Sequence, residues 1–244
     1  MIADIGTILW KEAREYLLQG PKFRGGWLGM LIFVGVFGVL MPLQSGPAWV
    51  EDPTALLVWA WLPFILVNSV VADSFAGERE RHTLETLLAS RLSDKSILFG
   101  KLFAAIAYGW GFSLITLLLG LITVNLAHAR SGLHLFPLNT ALAILVVSFL
   151  ISALAAGLGV LVSLRASSVR AAQQILSTAM FVVLIPLIAI PLLPGAVQAR
   201  LAQTLQNLNL QVIMMGFIIV LVAVDLFLVG LAMARFQRSR LILD

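Results

Sequence analysis

The sequence predicts an all-α polytopic membrane protein, and three observations carry that prediction. Hydrophobic residues make up 60% of the 244 residues and charged residues only 11%, with a mean hydropathy of +1.01. Several apolar stretches approach the roughly 20 residues that a helix needs to cross a bilayer, and Lys and Arg are concentrated in alternate connecting segments. Soluble domains are about 45–50% apolar and about 25% charged. The composition therefore excludes a soluble enzyme, a disordered chain and a nucleic-acid-binding domain.

Residues 1–21 are predicted to form an amphipathic helix in the membrane interface. Five residues share one face of a helical wheel: Ile2, Ile5, Leu9, Ala13 and Tyr16. Most charged residues lie on the opposite face, and Glu12 lies at the border. Gly20 followed by Pro21 is a typical helix end. A cytosolic helix packed on a loop is the alternative, but the apolar stretch that follows within a few residues favours the interfacial helix.

Six stretches are predicted to span the membrane: 27–43, 55–72, 97–127, 138–164, 171–193 and 212–234. All but two of the 16 Lys and Arg residues fall on one side of this arrangement, and only Arg130 and Arg200 fall on the other. Because cytoplasmic segments collect basic residues, both termini are predicted to be cytoplasmic, in a multi-pass protein of the plasma (inner) membrane.

The connection before the sixth span is predicted to contain a short extracellular helix. Apolar residues recur at helical spacing after Pro194: Val197, Leu201, Leu205 and Leu208. Polar residues fill most of the remaining positions. We expect this helix to rest on the outer leaflet or to re-enter it.

The motifs of common catalytic sites are missing from the sequence. The Gly-Lys pair at Gly100 and Lys101 is followed by Leu102 and lacks the upstream glycine of a phosphate-binding loop. No H-E-x-x-H motif is present, and the absence of cysteine excludes disulfides and thiolate metal sites. We therefore predict no catalytic residue, no metal site and no cofactor on this chain.

The connection 73–96 is the one long charged stretch between predicted spans. Leu84, Leu87 and Leu88 form a short apolar stripe beside residues of both charges. Ser93 before Asp94 is typical of a helix start. This pattern predicts a small cytoplasmic amphipathic helix, whose charges either form a solvated face or help it to dock in a partner's groove.

The same segment resembles the signature of ABC-2 type transporter permeases, the membrane subunits of ATP-driven exporters. The resemblance is carried by Glu78-Arg79-Glu80, Thr83-Leu84-Glu85, Leu87-Leu88 and Gly100-Lys101. The opening helix and the six-span plan also fit this family. The chain departs from the family pattern at Arg91, where a proline often follows the Leu-Leu pair.

The resemblance implies a permease subunit that forms an export path as a homodimer in the lipid bilayer. Two separate ATPase subunits would bind ATP and Mg below it. The coupling helix that seats in each ATPase would comprise eight matching residues: Glu78, Arg79, Glu80, Thr83, Leu84, Glu85, Leu87 and Leu88. The alternative is an ion-coupled secondary transporter, which needs ionisable groups at mid-membrane and often inverted repeats.

Asp225 is the intramembrane polar candidate, because it is the one charged residue of the sixth predicted span. An ionised Asp at the bilayer centre costs roughly 2.5–3.5 kcal/mol on insertion scales, so we expect it to face protein rather than lipid. A structural hydrogen bond and a role in the transport path or its gating are both consistent with the sequence.

Overall fold

The computed structural model describes residues 2–18, 24–52, 55–189, 193–197, 200 and 210–236. Regular structure within these residues is helical, and they contain no strand. The helices are α1 (Ile2–Leu18), α2 (Arg24–Gly35), α3 (Met41–Ser45), α4 (Ala48–Glu51), α5 (Ala55–Glu80), α6 (Leu84–Leu88), α7 (Asp94–Ala127), α8 (Leu138–Arg165), α9 (Val169–Ala189) and α10 (Leu210–Arg235). The all-α fold class is confirmed for the described part of the chain.

Three helices among the described residues are long and apolar enough to cross a membrane: Asp94–Ala127, Leu138–Arg165 and Val212–Arg235. They coincide with the predicted third, fourth and sixth spans. Gly29–Ser45 forms a shorter apolar helix at the first predicted span, and the six-span arrangement stays a prediction. The end of the fifth predicted span and most of the predicted extracellular helix lie outside the described residues.

The first predicted span is not a uniform α-helix. A π-helical turn, Val36–Leu40, joins α2 to α3. Thr123 of α7 donates a hydrogen bond from its hydroxyl to the carbonyl of Gly38 in this turn, at 3.0 Å. A Cβ on Gly38 would lie 2.9 Å from Leu119 Cδ2, so glycine allows α7 to approach the widened turn closely.

The helix ends around the charged connection differ from the prediction. α5 does not stop at residue 72 but continues to Glu80, because its polar last turns pack against neighbouring helices instead of lipid. A turn at His82, with a φ of 54°, separates it from the five-residue α6. α7 then begins as predicted, because the Ser93 hydroxyl accepts a hydrogen bond from the Ser96 amide at 3.2 Å.

α5 lies in the centre of the bundle, between α7 and α8. Val71 is fully buried over Gly159 of α8, where a Cβ would overlap the valine methyl groups. The Ser163 hydroxyl of α8 binds the backbone of α5, where it accepts hydrogen bonds from the amides of Phe75 and Ala76 at 3.1 and 2.9 Å. Small residues therefore set the contact between the two helices, as in other membrane bundles.

We predict that Gly159→Ala destabilises the protein by about 1–3 kcal/mol, the usual cost of overpacking. The β-branched Val71 cannot turn away from an added Cβ without leaving its preferred rotamer. The matched control is Gly216→Ala in α10, because a Cβ there meets nothing within 4 Å. Thermal unfolding in detergent should show a lower midpoint for Gly159→Ala alone, and equal midpoints for the two variants would contradict the close α5–α8 contact.

Candidate functional site at the end of helix α5

A buried ammonium group joins three helices beside the end of α5. Lys101 of α7 is 1% exposed. Its Nζ donates to Glu12 Oε1 of α1 at 3.0 Å and to Glu78 Oε1 of α5 at 3.0 Å. A third hydrogen bond, to the carbonyl of Ser74, measures 2.8 Å. All three ammonium donors therefore have acceptors, which a buried charge requires.

The charges of this cluster balance. Lys11 Nζ lies 3.3 Å from Glu78 Oε1 and 3.5 Å from Glu12 Oε1. Its side chain is half-exposed, whereas both carboxylates are buried. The Phe75 ring, with its centroid 5.2 Å from Lys101 Nζ, adds a cation–π contact. Two cations and two carboxylates thus form the Lys101 cluster, which comprises Lys101, Glu12, Glu78 and Lys11.

The cluster shifts the pKa values of three groups on α1: its members Glu12 and Lys11, and the neighbouring Tyr16. Burial alone would raise the pKa of Glu12, but the Lys101 and Lys11 ammonium groups outweigh burial and hold this pKa below the usual 4.5. Burial lowers the pKa of Lys11, and the Glu12 and Glu78 carboxylates more than compensate, so that the net pKa is raised. Burial and the Glu12 charge raise the pKa of Tyr16 well above its ordinary value. Both ions therefore stay charged and the phenol stays neutral near pH 7.

The packed face of α1 differs from the prediction. The helical wheel puts Glu12 at the border between the two faces, but the residue is 3% exposed and lies in the contact with α7. Ile8, which the helical wheel did not assign to the apolar face, is also 3% exposed, because it packs on Gly100. The sequence signal for this contact is Gly100 followed by Lys101. The glycine lets Ile8 approach α7 closely, and the lysine pairs with Glu12.

Arg79 and Glu80 hold the connection between α8 and α9. The guanidinium of Arg79 donates to the carbonyl oxygens of Ala166 and Leu164 at 2.6 and 2.9 Å. These carbonyls lie at the end of α8, where helix partners are missing. Glu80 accepts a hydrogen bond from the Val169 amide, at the start of α9, at 2.9 Å.

One predicted helix is therefore divided between two elements. Glu78, Arg79 and Glu80 occupy the last turn of α5 and bind other parts of the chain, whereas Leu84–Leu88 form the separate short helix α6. Arg81 is not among the predicted site residues. Its guanidinium lies 3.1 Å from the Asp73 carboxylate and forms an ion pair with it. A Cβ on Gly77 would overlap the Asp73 carboxylate, so the glycine leaves room for this ion pair.

The short helix α6 presents a polar outer surface. Leu84 is 6% exposed and belongs to the main apolar core, and Leu87 is half-buried against that core. Thr83, Glu85 and Thr86 are exposed. The side chain of Leu88 lies outside what the structure describes. Leu84 and Leu87 therefore anchor α6, and its hydroxyl and carboxylate side chains face outward.

Asp225 is distant in sequence from these residues and lies on the packed stripe of α10. The buried members of this stripe are Leu221, Asp225, Leu228 and Ala232, and Phe236, directly after the helix, is also buried. Leu228 contacts α8 at Gly157, where an added Cβ would lie 3.1 Å from Leu228 Cβ. Asp225 is 9% exposed, and neither carboxylate oxygen has a hydrogen-bond partner among the described residues. The residue faces protein, as a polar group in a membrane span requires.

No grouping of three or more His, Cys, Asp or Glu side chains suited to a metal ion occurs in the described ranges. The two buried carboxylates nearest the end of α5, Glu12 and Glu78, are held by ammonium groups. Ion pairs and helix-end hydrogen bonds therefore connect the end of α5 to the neighbouring helices at this site.

We predict that stability falls as the pH drops through the folded-state pKa of Glu12. Because this pKa is depressed on folding, the stabilisation is complete above the ordinary value of 4.5 and is lost at lower pH. Glu12→Gln should be less stable than wild type at pH 7 and should lose less stability as the pH falls below 4.5. Unfolding midpoints across this range provide the measurement, and the exposed Glu85→Gln is the control. Parallel curves for wild type and Glu12→Gln would contradict the prediction.

Comparison with known proteins gives the family of the chain. The family model described as ABC-2 type transporter matches residues 3–196. The ABC transporter permease protein NatB of Bacillus subtilis (strain 168) is 31% identical over 150 residues, which is 56% of this chain and 38% of NatB. The chain thus covers less than two-fifths of that relative's length. Because the family model spans α1 to α9 and well over half of the residues, the chain belongs to the ABC-2 type transporter family of membrane transport subunits.

Proposed function

We propose that this chain is the permease subunit of an ABC exporter and works as a homodimer with two separate ATP-binding subunits. One observation carries this proposal beyond family membership. The exposed residues Thr83, Glu85 and Thr86 follow directly on the end of α5, whose last turn forms hydrogen bonds with α1, α7, α8 and α9. A partner that displaces these exposed residues would move the ends of α1, α7, α8 and α9 with them. ATP and Mg bind on the partner subunit in this proposal, since the sequence has no phosphate-binding loop.

The residues of the predicted coupling segment divide into two roles. Thr83, Glu85 and Thr86 are exposed and would contact the ATPase, together with the open side of Leu87. Glu78, Arg79, Glu80 and Leu84 would transmit the movement, since they bind within the chain. A short helix with ionic and apolar groups is a typical occupant of a partner's groove.

The membrane part supports assembly with lipid and a second copy. Only 11% of the spanning window of α10 is buried within this chain, against 61% for α8. The remaining α10 surface is therefore available to lipid or to the second permease. The strong bias of Lys and Arg to one side supports cytoplasmic termini in the plasma (inner) membrane.

Asp225 is the one observation that favours an ion-coupled secondary transporter instead, since its buried carboxylate has no hydrogen-bond partner among the described residues. In the exporter, the same carboxylate would be a structural group or would belong to the transport path or its gate. An ion-coupled carrier would transport without any ATPase, so dependence on the partner's ATP hydrolysis separates the two functions.

We predict that Glu85→Lys weakens binding of the ATP-binding subunit at least tenfold, which corresponds to about 1.4 kcal/mol. Reversing an exposed charge on α6 should leave the permease folded, because the side chain is exposed. The matched control is Glu51→Lys, an exposed acid at the end of α4. Co-purification with the ATPase and transport-stimulated ATP hydrolysis are the two measurements. Wild-type values for Glu85→Lys in both assays would refute the docking assignment, and a wild-type chain that captures no ATPase would refute the exporter.

We predict a separate response at Asp225. A structural carboxyl group should tolerate Asp225→Asn but lose folded yield with Asp225→Leu, because leucine cannot form a hydrogen bond in the packed stripe. A charge-dependent role should abolish substrate-stimulated ATP hydrolysis in both variants while the fold survives. Folded yield and ATP hydrolysis of the assembled complex distinguish the two cases. Wild-type behaviour of Asp225→Leu in both assays would show that the carboxylate has neither role.

A further inference from the structure

A cleft of 240 Å³ opens between α1 and α7. The two helices touch where Ile8 packs on Gly100 and where Glu12 meets Lys101. Further along, the rings of Tyr16 and Tyr108 meet edge to face, with their centroids 5.8 Å apart. Residues of both helices line this cleft, which we call the wedge between α1 and α7.

The walls of this wedge are almost entirely apolar. α1 contributes Leu9, Ala13 and Tyr16, and the α7 wall includes Tyr108, Gly111 and Ile115. A single water needs about 10–15 Å³ and two to four polar partners. The cleft is far larger than that, but its side chains offer only two phenolic hydroxyl groups. An apolar occupant therefore fits the chemistry better than water.

The wedge is continuous with a surface that faces hydrocarbon. Ile115 is 57% exposed and begins an exposed stripe along α7 that continues with Leu118, Ile122 and Leu126, which are 55–75% exposed. α7 is one of the three membrane-length helices, so a stripe of exposed aliphatic residues on it contacts acyl chains. An acyl chain lying along this stripe reaches the cleft at Ile115 without crossing a polar barrier.

The α1 side of the wedge suits the boundary between headgroups and acyl chains. Trp10 is 71% exposed on α1, and Tyr16 lines the cleft. Trp and Tyr are enriched at this depth because their rings are apolar at one end and polar at the other. Arg14, also exposed on α1, provides a cation near the headgroup region.

We propose that the cleft between α1 and α7 is a binding site for one acyl chain of a resident membrane phospholipid. The lipid would fill the space between the two helices and add to the contacts that hold α1 against the bundle. This site goes beyond the proposed transport function, because it needs neither the ATPase nor a cargo.

The test fills the cleft from within the protein. Gly111→Leu projects a side chain into the wedge, and its Cβ meets nothing within 4 Å. The matched control is Gly216→Leu in α10, where a Cβ also meets nothing within 4 Å. The full-length chain, without ATPase, is placed in nanodiscs that contain phosphatidylethanolamine with a diazirine near the end of one acyl chain. After illumination, mass spectrometry locates the labelled residues.

We expect lipid label on Tyr108 and Phe112 in the wild-type chain and in Gly216→Leu. Gly111→Leu should reduce this label at least fivefold, while label on the stripe at Ile122 stays equal in all three proteins. Undiminished label in the cleft of folded Gly111→Leu would overturn the proposal. If that variant does not fold, the wild-type chain decides: label in the cleft at least equal to that on the stripe supports the site, and label on the stripe alone overturns it.

A second copy of the chain is the competing occupant, and a single cysteine tests it because the sequence has none. Ala107→Cys places a thiol on the α7 wall of the cleft. Formation of a disulfide-linked dimer in high yield, together with loss of lipid label from the cleft, would overturn the proposal. A monomer on a non-reducing gel, with lipid label retained, supports it.

Discussion

The burial of one ammonium group, that of Lys101, constrains the whole end of the helix bundle where the charged connection lies. A lysine that is 1% exposed needs carboxylates and carbonyls at hydrogen-bonding distance, and Glu12, Glu78 and the Ser74 carbonyl provide them. Because these acceptors come from α1 and α5, satisfying one charge on α7 fixes three helices relative to one another. Removing one member of such a buried set typically costs about 3–5 kcal/mol.

The rest of the site follows from this anchored end of α5. With Glu78 held inward, the next two residues reach α8 and α9: Arg79 caps the carbonyls at the end of α8, and Glu80 receives the first amide of α9. The chain then turns at His82 and presents α6 outward, anchored by Leu84. The first part of the charged motif thus binds within the chain, and Thr83, Glu85 and Thr86 are its exposed part. In an ABC transporter this arrangement would transmit a displacement of these exposed residues to the helices that span the membrane.

Hydropathy and local patterns predicted a definite part of this structure. The third, fourth and sixth spans follow from long apolar stretches, and the start of α7 follows from the serine N-cap at Ser93. The extension of α5 to Glu80 could not be predicted in this way, because its polar residues are neutralised by distant partners. Glu12 and Lys101 are 89 positions apart, and no local window contains both. The same limit applies to Ile8, whose contact with the distant Gly100 cannot be predicted from the periodicity of α1.

A thermodynamic cycle at the Lys101 cluster tests the central claim most directly. Unfolding free energies are measured for wild type, Lys101→Met, Glu78→Gln and the double variant. Lys101→Met alone leaves two buried carboxylates with one half-exposed cation and should be strongly destabilised. In the double variant, the remaining Glu12 still has Lys11 beside it, so the combined cost should be clearly smaller than the sum of the two single costs. If the single costs simply add, then Lys101 and Glu78 act independently, and the joint between α5 and α7 is not what organises this end of the protein.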